Sequence, residues 1–567
     1  MSASSKKKLR KEAVAAELTE KQQREQAEAK KLKIMTISFV TVLALIVCIA
    51  VGVMIAKTVN VSGIKQRNTL ALTVGDHELS STEFNYYYMD AVNNFYSNLY
   101  SSYGDDVATY AELFYGLDCS TPLDEQYYNE ETGDTWADYF ISLAKSNAQY
   151  NYAMYDEAKA NGYTMSEDEE ASVDSALASL DQIVAVYGFS DVDTYLRSKY
   201  GEGAQLKTYE EYYRLSAYAS AYYTSYAQSL DYTDDELRAG EAENPEMYNA
   251  YSYATVYLSK SNYLDLVMDT TEDSDDSSED ATDATEATPT DEDYEKALAL
   301  AKADAEALVA ASTSVLTLDK AYAALEINAE KEDAASTKHE DIDYSSISNV
   351  LRDWLTDSSR EADDVGLIPY TYSTTDDDGN AVEDTYGYYV VVFQGVNDNV
   401  YPLANVRHIL IAPEGGTTDD DGNTTYSDDE LAAAKQEAED LLAQWQSGDA
   451  TEESFAELAN EYSDDTSSNE NGGLYEDILP GQTAEEFEDW CFDESRKAGD
   501  AEVIESSFGY HVMYYCSDSD VTYRDYLIST DLKTAAVTEW YNALLEKTVV
   551  TDGDLSLITT GLTLNVS

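Results

Sequence analysis

Hydrophobic and polar positions change their period several times along the chain. Ile34 to Ala56 (IMTISFVTVLALIVCIAVGVMIA) runs 23 residues without a charge. About 20 apolar residues at 1.5 Å rise each span the hydrocarbon core of a bilayer. A buried core helix rarely lacks every charge over that length. A cleaved signal peptide usually has a shorter apolar region, and no A-x-A-like site follows. A transmembrane helix over 34–56 is therefore expected. Residues 57–245 read as mostly helical. LALTVGDHELSSTEF predicts a short strand, a turn at Gly75-Asp76 and a helix start with Ser80 and Glu83 at capping-box spacing. Ser166 with Glu169 and Thr233 with Glu236 repeat the device, and Gly162 fits a helix stop. Farther on, YATVYLS (253–259), YGYYVVVF (386–393), VRHILIA (406–412) and FGYHVMYY (508–515) read as strands. Residues 523–550 read as a closing helix.

These strands belong to an internal repeat. Leu351–Asp364 (LRDWLTDSSREADD) and Phe487–Asp500 (FEDWCFDESRKAGD) are identical at seven of fourteen positions, among them Trp354/Trp490 and Arg360/Arg496. YATVYLS aligns with VRHILIA, and YGYYVVVF with FGYHVMYY. Two copies of one α+β domain, at 246–398 and 399–520, explain the pattern. The first contains an acidic low-complexity stretch, 269–292, expected to be a disordered loop. Neither it nor EGGTTDDDGNTTYSDDE (414–430) carries the full calcium-loop pattern.

Charge narrows the function. The chain has 35 Lys+Arg against 111 Asp+Glu, a net of −76. Phosphate contacts need a basic face, so nucleic-acid binding is excluded. The tail 1–33 runs the other way, with ten basic residues against five acidic. That excess orients it to the cytoplasm and the bulk of the chain outside the cell membrane, as a single-pass protein. The outer part then carries −81, read as a solvated, repulsive surface on which basic partners or cations are electrostatically plausible. Four cysteines without a CxxC pair exclude a disulfide scaffold and a zinc ribbon. The 49 tyrosines point to a tyrosine-rich fold, because the ring buries area while the hydroxyl stays wet.

The second copy resembles the parvulin family of peptidyl-prolyl isomerases. VRHILI (406–411), SFAELANEYSDDTSSNENGG (454–473), PGQTAEEFEDWCF (480–492) and SSFGYHVMYY (506–515) occur in the family's order across about 120 residues. VGDHELSSTEF and EAKANGYTMSEDE resemble the chaperone domain of PrsA/SurA-type extracytoplasmic foldases. The implied architecture is α+β and multidomain: a basic tail (1–33), a membrane helix (34–56), a helical chaperone-like domain (57–245), a degenerate parvulin-like copy (246–398), an isomerase copy (399–520) and a C-terminal helix and tail (521–567) that returns to the helical domain. The implied activity is prolyl cis/trans isomerisation and foldase action on unfolded or newly secreted chains with X-Pro bonds. No metal or cofactor is implied. The alternative is a holdase in which both copies are inactive.

The resemblance also assigns residues. His408 and His511 form the imidazole pair, Asp465 takes the Cys/Asp position beside the amide, and Ser506 is the hydroxyl that bonds the histidines. Phe487 is the floor of the proline pocket, with Gln482 and Thr483 beside it. Thr483 stands where the family has Met or Leu, and GGLYEDI (472–478) replaces GGDLG. No basic cluster follows His408, which argues against phosphoserine-proline specificity. Cys491 reads as helix packing rather than a nucleophile. In the first copy Thr255 stands in place of His408, and Tyr389 in place of His511.

Overall fold

The computed structural model describes residues 63–268, 288–331, 333–375, 381–418 and 424–564. The basic tail, the expected membrane helix 34–56 and most of the acidic stretch 269–292 lie outside the described residues. Among the described residues no helix is long and apolar enough to cross a membrane. The described residues divide into two compact units, one formed by 63–231 together with 532–564, the other falling within 232–531.

The first unit is helical around a small sheet. Strand β1 (Leu70–Val74) turns at Gly75, whose φ of 56° suits a residue without Cβ. The residues after the turn, read from sequence as leading directly into a helix, form a second strand first, β2 (His77–Ser80), paired antiparallel with β1. Ser80 then caps α1 (Ser81–Tyr103), its backbone N–H donating to Glu83 at 2.7 Å. After α2 (Val107–Tyr115) and a short hairpin, β3 (Tyr127–Asn129) with β4 (Asp134–Thr135), come α3 (Trp136–Ala160), α4 (Glu167–Tyr187), α5 (Val192–Tyr200) and α6 (Leu206–Ser229). Ser166 and Glu169 box the start of α4.

Tyrosine does much of the packing here. Tyr86, Tyr88, Tyr96 and Tyr195 are wholly buried beside Phe84, Trp136 and Phe140. Tyr200 and Tyr212 donate their hydroxyls to Asp90 at 3.0 and 2.6 Å, so these two rings bury area with the polar tip satisfied, whereas the buried Tyr88 hydroxyl has no hydrogen-bond partner among the described residues. The C-terminal part of the chain completes this unit. Trp540 stacks on Tyr226 at 3.9 Å, and strand Val550–Asp552 adds to the free edge of β1, with Leu72 opposite Asp552.

The second unit holds two four-stranded antiparallel sheets of one topology. The first has the order β6-β5-β8-β7, from β5 (Ala250–Ser259), β6 (Thr337–Asp343), β7 (Val365–Thr375) and β8 (Ala381–Asn397). The second has the order β10-β9-β12-β11, from β9 (Pro402–Ile411), β10 (Leu474–Ile478), β11 (Ala501–Ser506) and β12 (Gly509–Thr522). Registers correspond: Thr255 faces Val391 as His408 faces Met513, and Tyr257 faces Tyr389 as Leu410 faces His511. A long helix covers one face of each sheet, α7 (Asp291–Ala311) through Ala297, Ala301 and Ala305, and α8 (Asp428–Gln446) through Ala434 and Ala438. Alanine every fourth residue lays one smooth stripe on the strands.

The repeated sequence motif is a structural clasp. Arg360 lies over the Trp354 ring at 4.2 Å and donates Nε–H to the Trp354 carbonyl at 3.0 Å. Arg496 does the same to Trp490, at 4.3 and 3.1 Å. Asp357 and Asp493 accept from the backbone N–H of Ser359 and Ser495, both at 2.9 Å, and fix the turn between. The segments that join the sheets are tied by Arg524, which donates to Glu241 at 2.6 Å, to Asn249, and to the carbonyls of Asp398 and Pro245.

Candidate active site

Alternation along β9 and β12 separates two faces of the second sheet. Ile409, Ile411, Val512 and Tyr514 pack under α8 and α9 (Glu452–Tyr462). Ala404, Val406, Met513 and Tyr515 face α10 (Glu485–Cys491), which supplies Phe487 and Trp490. His408 and His511 belong to this second face, on neighbouring strands and one diagonal step apart.

Their side chains form one connected line. Ser506 Oγ lies 2.7 Å from His511 Nε2, His511 Nδ1 lies 3.1 Å from His408 Nδ1, and His408 Nε2 lies 2.9 Å from Asp465 Oδ2. One assignment of the ring protons gives the line a single direction. Ser506 donates to His511 Nε2, His511 donates from Nδ1 to His408 Nδ1, and His408 donates from Nε2 to the carboxylate. The backbone N–H of Phe508 completes it by donating to Ser506 Oγ at 3.1 Å.

The loop after α9 is stitched to β9, and this aims Asp465. Asp464 N–H donates to the Leu410 carbonyl at 2.8 Å, Leu410 N–H donates to Ser463 Oγ at 3.1 Å, and Ala412 N–H donates to the Asp464 carboxylate. Downstream, His408 N–H donates to the Gly473 carbonyl at 2.9 Å. Gly473 has a φ of 68°, and a Cβ there would come within 2.1 Å of the His408 carbonyl oxygen, so only glycine permits the approach.

Three further residues converge on Asp465 that sequence reasoning did not single out. Ser467 donates its hydroxyl to Oδ1 at 2.6 Å, Ser468 donates to Oδ2, and Tyr475 donates to Oδ2 at 3.0 Å. The Asp-x-Ser spacing of 465–467 is a sequence signal for such a turn. Tyr475 has none, since it sits in the segment that departs from the family pattern.

Electrostatics follow from this geometry. Burial would raise the Asp465 carboxyl, but the bonds from His408, Ser467 and Ser468 outweigh it and hold the group well below the usual carboxylate range. Burial, reinforced by the neighbouring His408, pushes His511 down to about 4, so it is neutral near pH 7. Burial raises Tyr475, which stays a donor. Cys491 is buried and pushed up to about 12, which leaves a thiol without nucleophilic character near neutrality.

Phe487 stands edge-on to both imidazoles, at 5.2 Å from His408 and 5.4 Å from His511. Tyr475 flanks it at 6.3 Å. The structure thus brings together His408, Asp465, Ser506, His511 and Phe487. Two of the expected residues stand apart from this network. Gln482 is exposed and its side-chain carbonyl accepts from Leu479 N–H in its own loop, at 2.9 Å. Thr483 has a buried hydroxyl without a hydrogen-bond partner. Among the described residues no cluster of three His, Cys, Asp or Glu could hold a metal.

Residues 388–516 match the family described as the PPIC-type PPIase domain. This segment is a parvulin-type domain. Curated relatives of this chain are foldase proteins. Foldase protein PrsA 3 of Bacillus anthracis is 31% identical over 124 residues, 22% of this chain and 34% of the relative. Foldase protein PrsA 3 of Bacillus cereus is 42% identical over 62 residues, 11% and 21%. Foldase protein PrsA 1 of Listeria innocua is 39% identical over 61 residues, again 11% and 21%. The chain therefore spans about a fifth to a third of the length of these relatives. Solved structures of PrsA peptidylprolyl isomerases also match. That from Bacillus anthracis is 21% identical, covering 26% of this chain and 59% of its own, with a TM-score of 0.17. That from Bacillus cereus is 24% identical, covering 29% and 57%, with a TM-score of 0.17.

Within the parvulin-type domain the imidazole line is complete, whereas the first sheet holds different groups at the corresponding places. Thr255 Oγ1 pairs with His339 Nε2 at 3.2 Å, and Tyr389 stacks on Tyr257 at 4.5 Å.

Proposed function

We propose that this chain is a peptidyl-prolyl cis/trans isomerase and foldase, and that residues 399–520 carry the catalysis. The observation that carries the reading is the line Ser506–His511–His408–Asp465 lying edge-on against Phe487. Rotation about an X-Pro bond meets a barrier of about 18–20 kcal/mol and takes tens of seconds or more unaided. Catalysis needs a site that binds the twisted amide better than either planar form. Phe487 and the Tyr475 ring offer an apolar wall for the proline ring. Two paired imidazoles, whose ring nitrogens can each donate or accept, let the hydrogen bonds readjust as the amide loses conjugation. No proton has to leave the protein. A thousandfold acceleration corresponds to about 4 kcal/mol, the scale of a few well-placed hydrogen bonds and a fitted ring.

The chain is anchored in the cell membrane by residues 34–56, with residues 1–33 cytoplasmic and the rest extracytoplasmic. The uncharged 23-residue run and the ten basic residues before it support this orientation. Its substrates are unfolded or newly secreted chains with X-Pro bonds, and the helical unit serves as a chaperone-like module. Exchange of an X-Pro peptide followed by NMR tests the activity. Asp465→Ala and Phe487→Leu should each lower kcat/KM at least tenfold, and unchanged rates in both would overturn the assignment. Protease applied to protoplasts should remove the outer part and spare the tail. Digestion of the tail would overturn the orientation.

A further inference from the structure

The first unit carries an aromatic surface that its own fold leaves open. Leu113 and Phe114 on α2 are 68% and 59% exposed, and Tyr127 and Tyr128 on the hairpin are 61% and 50% exposed. These are not scattered side chains. Tyr128 stacks on Tyr139 at 4.4 Å, Tyr139 meets Phe95 at 6.2 Å, and Phe95 meets Tyr115 at 5.6 Å, joining hairpin and helix in one series of rings. On the same helix Tyr110 stacks with Tyr103 at 4.5 Å and with Phe114 at 5.7 Å. Exposed apolar patches that are contiguous mark contact surfaces.

The charge around the rings selects the partner. From residue 68 to residue 144 the sequence holds no Lys or Arg and fourteen Asp or Glu. Asp105, Asp106 and Glu112 lie on or beside α2, and Glu130 and Glu131 form the tip of the hairpin, all exposed. Aromatic faces ringed by carboxylates attract cationic groups twice over, through the ring quadrupole and through the surrounding field. The same rim repels the phosphate plane of a bilayer. It also repels a second copy, which would bring the same negative face.

We propose that this surface, formed by α2 and the β3–β4 hairpin, docks cationic, apolar stretches of unfolded polypeptide, chains in which Lys or Arg alternates with Leu, Phe or Tyr. Such stretches satisfy both the rings and the rim, whereas an anionic stretch of equal hydrophobicity satisfies only the rings. The surface therefore sorts clients by charge, a property separate from isomerisation of the X-Pro bond.

The test uses the full chain in phosphatidylcholine nanodiscs and two labelled, proline-free peptides, read by fluorescence anisotropy. One alternates Lys/Arg with Leu/Phe, and the other has Glu at every Lys/Arg position. The cationic peptide should bind at least about tenfold more tightly and should lose affinity as salt is raised. Leu113→Ser/Phe114→Ser/Tyr127→Ser should weaken it at least about tenfold, and Glu130→Lys/Glu131→Lys should weaken it while leaving the rings in place. Both sets of positions are exposed, and circular dichroism melting confirms that each variant keeps its fold. Equal affinity for the two peptides, or binding unmoved by both variants, overturns the proposal. So does protection of α2 and the hairpin from hydrogen exchange by the nanodisc lipid alone, or by a dimer seen in light scattering. Because the peptides lack proline, an inactive isomerase site would leave this result untouched.

Discussion

Asp465 shows how much one side chain depends on its neighbours. It accepts from His408, Ser467, Ser468 and Tyr475 at once. Tyr475→Phe removes one donor and keeps the ring against Phe487. One net hydrogen bond is worth roughly 0.5–1.5 kcal/mol, so kcat/KM should fall about two- to tenfold, with KM little changed. A larger loss would mean that the hydroxyl meets the substrate directly. His511 yields a pH prediction. Its folded-state value of about 4 lies below the usual value of 6.5. The unfolded chain therefore binds the proton first, and the stability that this group contributes is full above pH 6.5 and lost as the pH falls toward 4. Asp465, also depressed, acts in the same direction at lower pH. Urea midpoints should decline between pH 6.5 and 4, and His511→Gln should flatten that part of the curve. The sequence made His408, His511, Ser506 and Phe487 legible through their ordered motifs. It did not make Tyr475 legible, because a hydroxyl that reaches across a loop leaves no periodic trace.

Among the elements, strands and caps were the more readable. The alternation in VRHILI and FGYHVMYY reports two differently packed faces, and the serine–glutamate spacings at residues 80 and 166 report helix starts. The short strand His77–Ser80 was not readable, because four residues cannot establish a period and the pairing comes from β1 across the turn. The closing helix, read from sequence over 523–550, spans Tyr523–Lys547, and Val550 instead opens the strand Val550–Asp552, which was hidden for the same reason. The Trp–Arg clasp was visible as identity between copies, but its meaning is structural: the arginine closes the end of a short helix and lies on its indole. Arg524 is the most exacting tie in the second unit, with four partners and a side chain only 10% exposed. Arg524→Met keeps much of the volume and leaves Glu241 and two carbonyls without their donor. It should destabilise the second unit by about 3 kcal/mol, the range for breaking a buried pair, measured by urea denaturation. A change under about 0.5 kcal/mol, typical of exposed pairs, would show that water replaces the guanidinium there.

At the scale of the whole molecule, two sheets share strand order and register, yet only one presents paired imidazoles. A full-length His408→Ala/Asp465→Ala variant should therefore show no X-Pro exchange above background. Residual catalysis would have to come from the Thr255–Tyr389 face, and would remove the histidines from the explanation.

The strand Val550–Asp552 sets a timetable for biosynthesis. It completes the sheet begun at Leu70, and Leu72 meets its partner Asp552 across 480 residues of sequence. At about 5–20 residues per second, the ribosome needs roughly half a minute to a minute and a half to make what lies between. The sheets at 250–522 are fully synthesised before then and can close on their own residues. The first unit to emerge is thus the last to be finished, its β1 edge waiting, and a prematurely terminated chain keeps that edge open. Completion of the first unit reports that translation has passed Asp552.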